Sequence, residues 1–156
     1  VVRVRSAREM ADAVFAHAAD ADVVVMAAAV ADYAPEAAPE KLKKTSDILA
    51  LNLHRTPDIL AEVAALPKRP FTVGFAAETE ALETHARKKL SSKNLDLIAA
   101  NQVGQGLGFE VDDNALLVLW ADGQQQLDKA PKRHLAERLI SLIADHYHAK
   151  HPAQIA

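Results

Sequence analysis

The chain has 156 residues, half of them hydrophobic, with a net charge of -3 and a pI of about 6.2. That length fits one domain, or most of one, with enough apolar residues for a core. The absence of cysteine excludes disulfides, thiolate nucleophiles and zinc–thiolate sites. The lack of a long basic block argues against a nucleic-acid partner. No apolar run reaches the ~20 residues a membrane helix requires, and no signal peptide is visible. A cytoplasmic location is compatible with this composition. The chain opens at Val1 without methionine, directly in a strand-like run, and reads as a fragment or a processed chain.

In chain order, Val1 to Arg5 alternates and predicts a strand. Ser6 and Glu9 have capping-box spacing, so a helix is expected to about Ala19, with Met10, Ala13, Val14 and Ala18 on one face. The apolar run within Asp22 to Val30 predicts a strand buried on both faces. Asp32 to Glu40, with Pro35 and Pro39, predicts a loop, followed by the basic cluster Lys41-Leu42-Lys43-Lys44. Leu49, Leu51 and Leu53 alternate as in a half-exposed strand. Thr56-Pro57-Asp58 predicts a helix start with Thr56 as cap, and Ile59 to Leu66 the helix.

Phe71 to Ala77 predicts a second buried strand, and Thr79 the cap of a helix running to about Ser91. Leu95 to Ala100 predicts a third strand, and Asn101 to Phe109 a glycine-rich loop. Asp122-Gly123 between Ala115–Trp120 and Gln125–Leu127 is a hairpin signal. The final helix is expected over Lys132 to His148, with Leu135, Leu139, Leu142 and Ile143 inward. Alternating strands and helices predict an α/β, Rossmann-like, mostly parallel sheet flanked by helices.

Ligands in such sheets collect beyond the C-terminal strand ends. The residues there are Asp32, Glu78 and Asn101. Lys41, Lys43 and Lys44 on one loop, and Lys89 and Lys93 one helical turn apart, are cations able to hold phosphate. Each has a plainer role. The lysines are also what a solvated loop and helix face look like. Asp32 and Asn101 are turn formers, Glu78 suits a helix N-terminus, and Phe75 suits the core. The seven histidines scatter, and His146 and His148 fall on different helix faces, which disfavours a metal centre; metal ligands are not identified. Neither a Tyr-x-x-x-Lys pair nor a glycine-rich dinucleotide fingerprint is present, against a reductase-like binder.

Six segments, AAAVADYAP (27–35), KLKK (41–44), TPDIL (56–60), VGFAAET (73–79), KLSSKNLDLIAAN (89–101) and GFEVDDN (108–114), resemble phosphopantothenoylcysteine synthetase in order and spacing. The resemblance spans nearly the whole of 1–156, taken as a single, N-terminally incomplete domain. It implies a ligase of coenzyme A biosynthesis that joins phosphopantothenate to cysteine through an acyl-cytidylate, using CTP and Mg2+. FMN is implied only where a flavin-dependent decarboxylase is fused. It further implies nucleotide contacts at Ala28, Asp32, Phe75, Lys89 and Lys93, and at the stretch His54, Arg55, Thr56 and Pro57. Lys41 matches the family's catalytic lysine.

A homodimer is implied, through an arm resembling Leu49–Leu53 and Ala115–Leu127. The family's glycine-rich turn and Asn- and Ser-rich loop do not precede Val1, so the chain alone is expected to be inactive. A non-catalytic dimerising or nucleotide-binding remnant is the alternative.

Overall fold

The computed structural model describes residues 1–36, 40–43, 47–104 and 112–152. Lys44, Gly106, Gly108 and most of the 108–114 segment lie outside these residues.

Ser6 begins the first helix, α1 (Ala7–Ala18), as the capping spacing requires. Its side chain accepts the Glu9 N–H. Glu9 Oε2 reaches back one residue further than a standard capping box, to the Arg5 N–H at 2.7 Å. The chain then forms β1 (Val23–Met26), β2 (Tyr33–Pro35), β3 (Leu53–Arg55), α2 (Ile59–Ala64), β4 (Phe71–Glu78), α3 (Leu82–Ser92), β5 (Leu97–Gln102), β6 (Asp113–Trp120), β7 (Gly123–Pro131) and α4 (Lys132–Lys150).

A five-stranded sheet has the order β1-β4-β5-β6-β7. β1, β4 and β5 are parallel, and the β6–β7 hairpin continues the sheet antiparallel. Strand alternation sorts the core into two faces. Phe71, Val73, Leu97 and Ala99 pack with Leu135, Leu139 and Ile143 of α4. Ala76, Ile98 and Ala100 pack with Ala86 and Leu90 of α3 on the opposite face. α1 packs beside α2 through Ala11, Ala18, Ile59 and Val63. The α/β architecture expected from the strand–helix alternation is therefore present.

Several local expectations are corrected. Val1–Arg5 forms no strand, because no described strand hydrogen-bonds to it. The run 22–30 yields a strand of only four residues. It lies at the sheet edge rather than buried on both faces, and Val25 is exposed. Within the expected loop 32–40, Tyr33–Pro35 pairs antiparallel with β3, and only Leu53 of the leucine stripe enters that ladder. The β6–β7 hairpin turns through Ala121-Asp122 and joins the main sheet through β5. It is thus not the partner of the leucine segment, whose β3 end pairs with β2 instead. Asn101 belongs to β5, not to a loop.

Candidate nucleotide cleft

Two helix starts differ from expectation, and one of them builds the site. Thr56 does not cap α2; its hydroxyl donates to the Ala31 carbonyl at 2.5 Å. Together with Thr56 N–H to Asp32 O at 3.0 Å, this ties the loop after β1 to the segment before α2. Asp58 is the cap, accepting the Ala61 N–H. Thr79 likewise does not cap α3. Ala81 holds that position with a left-handed φ of 49° and no side-chain cap.

The tied loops form one wall of a cleft of about 270 Å³. Ala28–Asp32 and Thr56–Leu60 line that wall. Gly74, Phe75 and Ile98 supply the sheet face, and Lys89, Lys93 and Leu95 close the far side. Gly74 lets Leu60 and Leu95 approach the sheet closely, since a Cβ there would meet Leu60 Cδ2 and Leu95 Cδ1 at 2.9 Å. The cleft brings together Ala28, Asp32, Thr56, Pro57, Phe75, Lys89 and Lys93. Phe75 contributes to the core and to the cleft alike. Asn101 and Glu78 lie at the expected sheet edge without lining it.

His54 and Arg55 fall elsewhere. With Thr56 and Pro57 they line a neighbouring cavity of about 580 Å³, against Ser6, Arg8 and Pro35. Lys41 is exposed and lines neither cavity.

Both cleft lysines are paired. Lys93 Nζ lies 2.8 Å from Asp58 Oδ2, and Lys89 Nζ lies 2.6 Å from Glu78 Oε1. His85 Nδ1 is 3.3 Å from the other Glu78 oxygen. In sequence Asp58 marks only the start of α2. Its contact with a lysine 35 residues away has no sequence signal. Burial pushes the Asp58 carboxyl up. The Lys93 and Ala61 hydrogen bonds, with the Lys93 and Arg55 charges, outweigh it and hold the group below its ordinary value. The Lys89 hydrogen bond holds Glu78 down against the effect of burial.

Carboxyls depressed in the folded state add stability above their unfolded pKa values, here near the ordinary 3.8 and 4.5. That stability is lost as pH falls through the lower folded values. The thermal midpoint should thus be flat from pH 7 to about 5 and then drop on further acidification. A midpoint unchanged down to about pH 3 would contradict these pairings.

No group of three or more His, Cys, Asp or Glu side chains able to hold a metal occurs among the described residues. No described helix is long and apolar enough to cross a membrane.

Residues 1–147 match the family described as DNA/pantothenate metabolism flavoprotein C-terminal domain. The chain is 49% identical over 149 residues to the coenzyme A biosynthesis bifunctional protein CoaBC of Vibrio parahaemolyticus, covering 92% of this chain and 37% of that protein. Identity to the Escherichia coli CoaBC protein is 45% over 155 residues, covering 96% and 38%. The chain thus spans somewhat over a third of the curated relatives it matches.

A crystal structure of the C-terminal domain of CoaBC superposes with a TM-score of 0.72 at 33% identity, over 91% of this chain and 63% of that one. A Cab2 variant in complex with phosphopantothenate-cysteine shares the fold, with a TM-score of 0.72 at 16% identity. In fold, in the family match and in its relatives, this chain belongs to the DNA/pantothenate metabolism flavoprotein C-terminal domain family.

Proposed function

We propose that the chain is the nucleotide-binding body of a ligase that joins phosphopantothenate to cysteine in coenzyme A biosynthesis, with CTP as the activating nucleotide. The observation that carries this reading is the convergence of Ala28, Asp32, Thr56, Pro57, Phe75, Lys89 and Lys93 on one cleft. Two ammonium groups, on Lys89 and Lys93, stand on its far wall. That is where positive charge must meet a triphosphate. A non-catalytic remnant is the less supported reading, because these residues are retained together in one cleft.

In the proposed reaction a carboxylate oxygen of phosphopantothenate attacks the α-phosphorus of CTP. The bond to pyrophosphate breaks, and pyrophosphate leaves with its electron pair. The acyl-cytidylate then has a good leaving group on its carbonyl carbon. The cysteine amine attacks that carbon, the C–N bond forms and CMP departs; the amine loses a proton. The protein supplies position and charge. Lys89 and Lys93 face the phosphates, and Lys41 is the catalytic cation brought by its exposed segment. Thr56 and Pro57 border both cavities, so the acyl substrate has room beside His54 and Arg55.

Mg2+ arriving with a nucleotide keeps several waters and needs only one or two carboxylates beyond the phosphates. Asp32 lines the cleft and forms no ion pair among the described residues, so it fits that need. When bound, Mg2+ offsets phosphate charge. The bifunctional description of the relatives supports a fused flavin-dependent decarboxylase in the whole protein, with FMN belonging to that half.

The full-length protein is expected to release pyrophosphate and CMP on adding CTP, phosphopantothenate and cysteine, and to use ATP poorly. Equal or faster turnover with ATP rejects the CTP assignment.

The same reading includes a homodimer. Tyr33, Ile48, Leu49, Leu51 and Leu53 are exposed on or beside the β2–β3 arm. A two-stranded piece of three residues per strand is marginal alone, and a second copy about a two-fold axis covers it. Light scattering at micromolar concentration should give twice the chain mass; a monomer mass contradicts the arm's role.

A further inference from the structure

Glu78 and Asp58 hold the two cleft lysines in different ways. Asp58 lines the cleft itself, so an incoming polyanion meets its charge directly. Glu78 does not line the cleft, whereas its partner Lys89 does. The carboxylate therefore stands outside the cleft wall, holding an ammonium group that belongs to it.

Glu78 is also well anchored. It is the last residue of β4, and its carbonyl accepts the Val103 N–H at 2.9 Å. Its side chain is only 15% exposed, and both carboxylate oxygens are engaged, one by Lys89 and one by His85. Lysine has a long, flexible stem, and ordering it at the moment of binding costs affinity. An ammonium has three protons. One is used on Glu78, which leaves two for phosphate oxygens.

We infer that Glu78 is a positioning residue that pre-orders Lys89 for the phosphates, with His85 steadying the carboxylate from its other oxygen. The inference rests on the nucleotide reading of the cleft. Glu78 acts through Lys89 and touches neither nucleotide nor substrate.

The test is a double-mutant cycle in the full-length protein, measuring Mg–CTP affinity by calorimetry and the KM and kcat of ligation. Glu78→Ala should weaken CTP binding about threefold to fivefold, the range expected for loss of one partly exposed ion pair. KM should rise more than kcat falls. Glu78→Gln keeps an acceptor for Lys89 and should restore affinity to within about twofold of the parent. In a Lys89→Ala background, Glu78→Ala should add no further loss.

Tighter CTP binding in Glu78→Ala would show that the carboxylate competes with phosphate, and would overturn the inference. An equal loss in the Lys89→Ala background would make the effect structural, and would also overturn it. If Lys89→Ala itself leaves CTP affinity unchanged, the nucleotide reading of the cleft fails and this inference falls with it.

Discussion

Lys41→Gln in the full-length protein is expected to slow ligation about 10²–10³-fold while leaving the thermal midpoint unchanged. Lys41 is exposed and makes no hydrogen bond or ion pair among the described residues. Removing its charge therefore takes nothing from packing, and exposed substitutions of this kind shift stability little. The effect should fall on turnover rather than on nucleotide affinity. Lys41 does not line the cleft, so its loss should leave the nucleotide-binding wall itself unchanged. A variant with unchanged turnover returns Lys41 to an ordinary solvated cation.

Asp96→Ala is expected to cost about 2–4 kcal/mol of stability, a fall of roughly 5–15 °C in the thermal midpoint. Asp96 accepts from Arg69 Nη2 at 2.9 Å, from the Thr72 N–H at 2.8 Å and from the Thr72 hydroxyl at 3.1 Å. Lys150 at the end of α4 donates to the same carboxylate. One side chain thus links the start of β4, the approach to β5 and the last turn of the C-terminal helix. Thr72 is fully buried, so the alanine variant strands its N–H without a partner. Asp96→Asn keeps an acceptor for Thr72 and loses only the charge facing Arg69 and Lys150, so it should cost less than half as much. Thermal unfolding of both variants checks the order. Equal losses would place the effect in the ion pairs rather than in the buried N–H.

The sheet strands β4 and β5 were legible because each is a short apolar run buried on both faces, which periodicity detects directly. α1 and α4 were legible from a capping box and an apolar stripe. The misreadings have one physical source. Val1–Arg5 and the 22–30 run look like strands by composition, but a strand exists only where a neighbour completes its ladder. In the same way, Thr56 and Thr79 have the chemistry of caps, yet tertiary hydrogen bonds and loop geometry decided the caps in favour of Asp58 and Ala81.

At the cleft, Asp32, Lys89 and Lys93 were legible from their places beyond a strand end and on one helix, and the resemblance added Ala28, Phe75 and the Thr56-Pro57 step; these line one cleft, whereas Lys41, His54 and Arg55 do not. Asp58 and Glu78 as lysine partners were not legible, since a pairing across 35 or 11 residues depends on how α2 and α3 sit on the sheet. Gly74 was visible as a letter in a motif, but its reason, the close approach of Leu60 and Leu95, exists only in the packed molecule.

The proposed function places the nucleotide phosphates in the cleft between the loop after β1 and the end of α3. The most direct measurement is the affinity of the full-length protein for Mg–CTP, compared with that of Lys89→Ala, Lys93→Ala and the double variant. The two lysines lie on the cleft wall and leave the core intact. Each single change should weaken binding about tenfold, and the double change by more than either alone. Affinity in the double variant equal to that of the parent would place the nucleotide elsewhere on the molecule.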